Sequence, residues 1–166
     1  MMTGARLLGD VGATNARFAV YDENQQIGCV RVIAVENYAT LREAIEAYVT
    51  AERIDKPLRA AALAVASPVT GDAVKLTNHP WSFSISGLRR DLHIEHLAVI
   101  NDFTANALAV PHLKPEDRVA IGGGKAVPDT PIAVLGPGTG LGVSGLIPAH
   151  GSWTPLAGEG GHATMA

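Results

Sequence analysis

The stretch Leu7-Leu8-Gly9-Asp10-Val11-Gly12-Ala13-Thr14-Asn15-Ala16-Arg17-Phe18-Ala19-Val20 constrains the fold more than any other part of the chain. Two apolar runs flank a turn of small residues, which predicts a strand, a tight turn and a returning strand. A turn of that composition exposes backbone N–H groups and carries no bulky side chain, so a phosphate can approach it closely. Asp10 adds a hard oxygen of the kind magnesium prefers. Taken alone, however, the segment is read more simply as a β-hairpin turn.

The rest of the chain predicts a mixed α/β protein. Strands are expected over 5–10, 16–21 and 28–35, with Asp22 to Gln26 as the polar turn between the last two. Thr40-Leu41-Arg42-Glu43 is a capping-box signature for a helix through about Arg53, with Leu41, Ile45, Tyr48 and Val49 on one stripe. The run Ala60 to Ala66 is expected to be a central strand buried on both faces. Ser86 is a candidate cap for a short helix to Asp91. Leu97 to Ile100 predicts another buried strand that leads directly into Asn101-Asp102 and a helix to about Val110. Residues 111–131 hold four prolines and Gly122-Gly123-Gly124, so they are expected to connect two lobes. Beyond them lie a strand over 132–135, a second glycine-rich turn over 136–142 and a returning strand over 143–147. The chain then ends at Gly158 to Ala166 with no helix or strand expected after that segment, and the second lobe reads as incomplete. The resulting domains are 1–112, a connector over 113–131, and 132–166.

Composition limits the partners. An apolar fraction of 47% is that of a globular protein, and a net charge of −3 argues against nucleic acid or an anionic membrane. No apolar run approaches the roughly 20 residues that span a bilayer. The single cysteine, Cys29, makes neither an internal disulfide nor a cysteine-based zinc site, and reads as a small semi-buried residue. A soluble, cytoplasmic protein is expected.

Three further segments carry chemistry. Asn101-Asp102 falls at the carboxyl end of a strand, where open α/β sheets hold their ligands. Asp102 could take a proton from an attacking hydroxyl there, or serve only as a helix cap. Glu159-Gly160-Gly161-His162 places a carboxylate and an imidazole three residues apart on a glycine-rich loop, suited to paired hydroxyls or simply solvated. Thr77-Asn78-His79-Pro80-Trp81 joins small polar groups to an aromatic face, as sugar sites do, although a packed Trp81 explains it as well. Gly136 to Gly142 repeats the strand–turn–strand pattern of the opening segment. It matches neither a Walker loop nor a dinucleotide fingerprint, and the pair suggests a nucleotide phosphate tail held between two loops.

Together these segments resemble the bacterial ATP-dependent glucokinases of the sugar-kinase, hexokinase and actin-like superfamily. The matching stretches are Gly9 to Arg17, Thr77 to Trp81, Ile100 to Ala105, Gly138 to Gly142 and Gly158 to His162, in the family's order. Related repressor-type sugar kinases carry a cysteine-rich zinc motif that Cys29 alone cannot supply, so the resemblance is to the zinc-free branch. It implies an actin-like (ribonuclease H-like) ATPase lobe with a mixed sheet, followed by an incomplete second α/β lobe.

Its implied reaction moves a phosphoryl group from ATP to the 6-hydroxyl of D-glucose. Gly9, Asp10, Val11, Gly12, Ala13 and Thr14 would form the first phosphate loop, with Asp10 holding Mg²⁺ through water. Gly138, Thr139 and Gly140 would form the second. Asp102 would be the base, and Asn101, Asp102, Glu159 and His162 would bind the sugar. The resemblance also implies a homodimer for the full-length form. Ala13 replaces a glycine common in the family, which is tolerable if that residue avoids a positive φ. The family continues well past the Gly-Glu-x-Gly-His loop, so this chain alone is expected to have little activity. A kinase for another hexose or an N-acetylhexosamine, and a non-catalytic sugar- or partner-binding remnant, are the alternatives.

Overall fold

In a computed structural model, residues 5–54, 58–77, 79–137 and 141–160 are described. The chain divides into two units, one ending at Asp102 and the other beginning at Phe103.

The first unit is built on a five-stranded mixed sheet. β1 (Ala5–Val11) and β2 (Asn15–Tyr21) form the hairpin expected of the opening segment, in register from Arg6 opposite Tyr21 to Val11 opposite Ala16. β3 (Ile27–Ala34) pairs antiparallel with β2. The chain then crosses over through the helix α1 (Leu41–Ala51), and β4 (Leu58–Val65) pairs parallel with β1. The short antiparallel ribbon of β5 (Ala73–Lys75) and β6 (Ser82–Ser84) follows, then α2 (Ile85–Asp91) and β7 (His96–Asn101), parallel to β4. The sheet order is β3-β2-β1-β4-β7. Parallel neighbours require such crossovers, because a two-residue turn can only reverse the chain.

Residues alternate across each strand. Leu7, Val11, Ala16, Phe18, Leu63 and Val65 share a core with Leu41, Ile45 and Tyr48 of α1, and the Phe18 and Tyr48 rings lie 5.4 Å apart. Thr40 caps α1, its hydroxyl accepting from the Glu43 N–H at 3.1 Å while the Glu43 carboxylate accepts from the Ala39 N–H. Capping satisfies amides that the first turn leaves without helical partners. No helix among the described residues is long and apolar enough to cross a membrane.

Several expectations change. β4 is buried on one face only: Ala61, Leu63 and Val65 are buried, whereas Ala62 is exposed and Ala60 and Ala64 are half-buried. The second face of the apolar run consists of Ala60, Ala62 and Ala64. β7 is likewise only partly covered. Over the first halves of β1, β4 and β7 this face forms a concavity of about 460 Å³, lined by Arg6, Leu8, Ala60, Ala62, His96 and Ala98 among others. The helix cap is Ser84 rather than Ser86, with the Ser84 hydroxyl accepting from the Gly87 N–H at 2.9 Å. Cys29 is exposed rather than semi-buried. It has a φ of 53° and lies in a β-bulge where Cys29 and Val30 together face Ala19.

The second unit contains most of α3 (Asp102–Ala109), two 3₁₀ turns (Val110–His112 and Pro115–Asp117) and an antiparallel sheet. That sheet comprises β8 (Ile132–Pro137), β9 (Leu141–Ala149) and β10 (Ser152–Glu159), in the order β10-β9-β8. β10 is the strand the sequence conceals. Pro155 argues against a strand, but β10 lies at the edge, where a missing N–H is tolerated. The Ser144 hydroxyl donates to the Leu156 carbonyl at 2.7 Å and ties β10 to β9. The Phe103 ring lies over β8 and β9 where Gly136 and Gly142 leave room: a Cβ on Gly136 would meet it at 2.7 Å, and one on Gly142 would collide with it outright.

Candidate functional site

Parallel pairing decides what comes together in the first unit. Val11 lies opposite Val65, and Val65 opposite Asn101, so the carboxyl ends of β1, β4 and β7 fall on one row. Two strand spacings separate the outer members, roughly 10 Å from Val11 to Asn101. The turn after β1, Ser67 after β4, and Asn101 and Asp102 at the end of β7 therefore share one sheet edge. The large concavity lies over the opposite halves of these strands.

Gly12 starts the first turn by donating its N–H to the Asn15 carbonyl at 3.0 Å, and Thr14 accepts from the Val35 N–H at 3.0 Å. Gly12 has no positive φ, and neither has Ala13, which meets the condition for an alanine there. Asp10 is exposed and lies directly across from Arg17, whose guanidinium is 3.6 Å from its carboxylate. An exposed pair of this kind holds weakly, so the carboxylate stays open to a competing cation. One accessible carboxylate suits magnesium, which keeps most of its water and takes few protein ligands. Gly9 is different. It lies mid-strand between Phe18 and Leu63, and its missing side chain makes room for both.

Asp102 is the first residue of α3 and half-buried, as Asn101 is. The Asn101 Nδ2 donates to the Ser67 carbonyl at 3.4 Å. The buried Ser67 bonds through its hydroxyl to Ala66 and Thr77. Trp81 is 2% exposed and its indole N–H donates to the Tyr38 carbonyl at 3.0 Å, so its ring belongs to the core and offers no face to a sugar. Glu159 closes β10 opposite Gly142. Gly138, Thr139, Gly140 and His162, together with Asn78, lie outside the described residues.

Known structures share this architecture. A glucokinase from an Antarctic psychrotroph matches 99% of this chain and 53% of its own, with a TM-score of 0.81 and 35% identity. A Balamuthia mandrillaris glucokinase, solved with glucose, matches 98% of this chain and 50% of its own, with a TM-score of 0.70 and 19% identity. The fold is that of the actin-like sugar kinases. Among curated relatives, the glucokinase of Aromatoleum aromaticum is 48% identical over 165 residues, 99% of this chain and 50% of the relative. The bifunctional protein glk of Paraburkholderia xenovorans is 50% identical over 163 residues, 98% of this chain and 25% of the relative. The chain thus spans a quarter to a half of the length of these relatives. The glucokinase family model matches residues 7–166, and the chain belongs to that family.

Proposed function

We propose that this chain supplies the first lobe and the opening of the second in an ATP-dependent glucokinase, which phosphorylates the 6-hydroxyl of D-glucose. One observation carries the reading: the row Val11–Val65–Asn101 sets the small-residue turn and the Asn101-Asp102 pair at the same end of one sheet. A phosphate at that turn and a sugar at β7 would then lie within one cleft.

Each residue has a task in this reading. The Gly12 amide is engaged with Asn15, so phosphate contacts in the first turn fall to the backbone of Ala13 and Thr14. Asp10 is the carboxylate that would hold Mg²⁺ through water, and the ion would neutralise charge on the phosphates. Asp102 accepts the proton of the attacking hydroxyl, and Asn101 orients the sugar as both donor and acceptor. Glu159 and His162 complete the hydroxyl contacts, and Gly138, Thr139 and Gly140 form the second phosphate loop. Phosphoryl transfer depends mainly on such positioning. Assembly as a homodimer in the cytoplasm belongs to the same reading.

The test is a chimera in which this chain replaces the matching half of the Aromatoleum aromaticum glucokinase. It should form glucose 6-phosphate from glucose and ATP. Asp102→Asn should lower kcat by about 10²–10⁴-fold while glucose still binds, as loss of a general base does. Unchanged turnover in that variant would remove Asp102 from the role.

A further inference from the structure

We propose that Ser67 is a positioning residue for the sugar, acting through both its hydroxyl and its carbonyl. This rests on the reading of Asn101 as a sugar ligand. Ser67 follows β4 and precedes Pro68, a neighbour that restricts its backbone to extended conformations. Its residue is 2% exposed. The hydroxyl donates its one hydrogen to the Ala66 carbonyl at 2.7 Å, so its contacts with Thr77 must be received. The Thr77 N–H donates to it at 2.8 Å and the Thr77 hydroxyl at 3.0 Å. That pair of bonds joins the segment after β5 to the end of β4 across ten positions of sequence. The Ser67 carbonyl meanwhile receives the Asn101 Nδ2 at 3.4 Å and so contributes to the direction in which that amide points.

One buried residue therefore links three pieces of the sheet edge: the turn after β4, the Thr77 segment and the Asn101 side chain. Losing the hydroxyl leaves the Thr77 N–H without its acceptor and frees the turn whose carbonyl orients Asn101. The effect should fall on sugar binding. The nucleotide turn, held separately by Gly12–Asn15 and Val35–Thr14 bonds, should be spared.

Two measurements test this on Ser67→Ala. In the 166-residue chain, amide exchange at Thr77 should quicken by about tenfold while the amides of β4 keep their protection, as a local opening requires. In the chimera, the KM for glucose should rise by about tenfold and the KM for ATP should stay unchanged, with kcat little altered. The double variant Ser67→Ala, Thr77→Ala should be no worse than Ser67→Ala alone, since Thr77→Ala removes only the hydroxyl contact that Ser67→Ala already removes and leaves the Thr77 N–H in place. Unchanged Thr77 exchange, an unchanged glucose KM, or equal rises for both substrates would overturn the proposal. If the unmutated chimera phosphorylates no glucose, the functional reading fails and takes the sugar role with it. That outcome is distinct from an active chimera indifferent to Ser67→Ala.

Discussion

Gly9→Ala separates packing from phosphate binding at the start of the chain. An alanine Cβ at position 9 would lie 2.6 Å from Leu63 Cδ2 and 3.1 Å from the Phe18 ring. Both neighbours are buried, at 1% and 0% exposure, so neither can swing into solvent. Overpacking a filled core costs about 1–3 kcal/mol. Replacing a strand glycine returns about 0.5–1 kcal/mol by restricting the unfolded chain. The net expectation is a loss of roughly 1–2 kcal/mol, which at a typical urea dependence is a midpoint lowered by about 1 M. Fluorescence in a Trp153→Phe background follows the first unit through Trp81. Unchanged or raised stability in Gly9→Ala would refute the packing argument. In the chimera, the surviving folded fraction should keep its KM for ATP. A selective loss of nucleotide affinity would instead assign Gly9 to the phosphate loop.

Two predictions concern pH. Burial pushes the Tyr48 hydroxyl up to about 12 from 10.0, with Cys29 and Glu52 adding to the shift, and the hydroxyl donates to the Cys29 carbonyl at 2.7 Å. The folded state therefore keeps the Tyr48 proton longer than the unfolded one. Its stabilising effect is complete below pH 10 and lost as pH rises through 12. Tyr48→Phe should cost about 1 kcal/mol at neutral pH and flatten this alkaline loss, as read by urea titrations across pH. The Asp72 carboxyl is held below the usual carboxylate range, first by the Ser84 hydroxyl and then by the Ser86 N–H. Its contribution is present above the ordinary carboxylate pKa and lost as pH falls through the lowered one. Asp72→Asn should therefore narrow the stability difference between pH 6 and acid, with the end of α2 next to Ser84 fraying first in amide exchange.

The elements most legible in sequence were those set by local chemistry. The opening hairpin follows from small residues between apolar runs, and α1 from Thr40 and Glu43. The strand end at Asn101-Asp102 was readable because an apolar run stops there. What escaped depends on distant partners. Ser84 and Ser86 are equally good caps by composition, and Asp72 engages both, so choosing between them takes the fold. β10 carries a proline that only an edge position excuses. Trp81 looks the same in sequence whether its ring meets a sugar or the core. Ser67 matters through Thr77 and Asn101, ten and 34 positions away. The candidate polar groups stand out in sequence, whereas the buried bonds around Asn101 take the fold to see.

The bulge at Cys29 bears on how this chain behaves in a crowded solution. β3 is an edge strand with Ile27, Val30 and Val32 exposed, the kind of border on which a second chain could add a strand. Its eight residues do not form an even ladder. Cys29 turns to a positive φ, the register breaks there, and the Cys29 carbonyl is already taken by Tyr48 from α1. An incoming strand would meet a kinked border whose midpoint carbonyl already accepts from Tyr48. The helix that builds the core thus also reaches the rim of the sheet, where its Tyr48 hydroxyl bonds the bulge that breaks an even ladder.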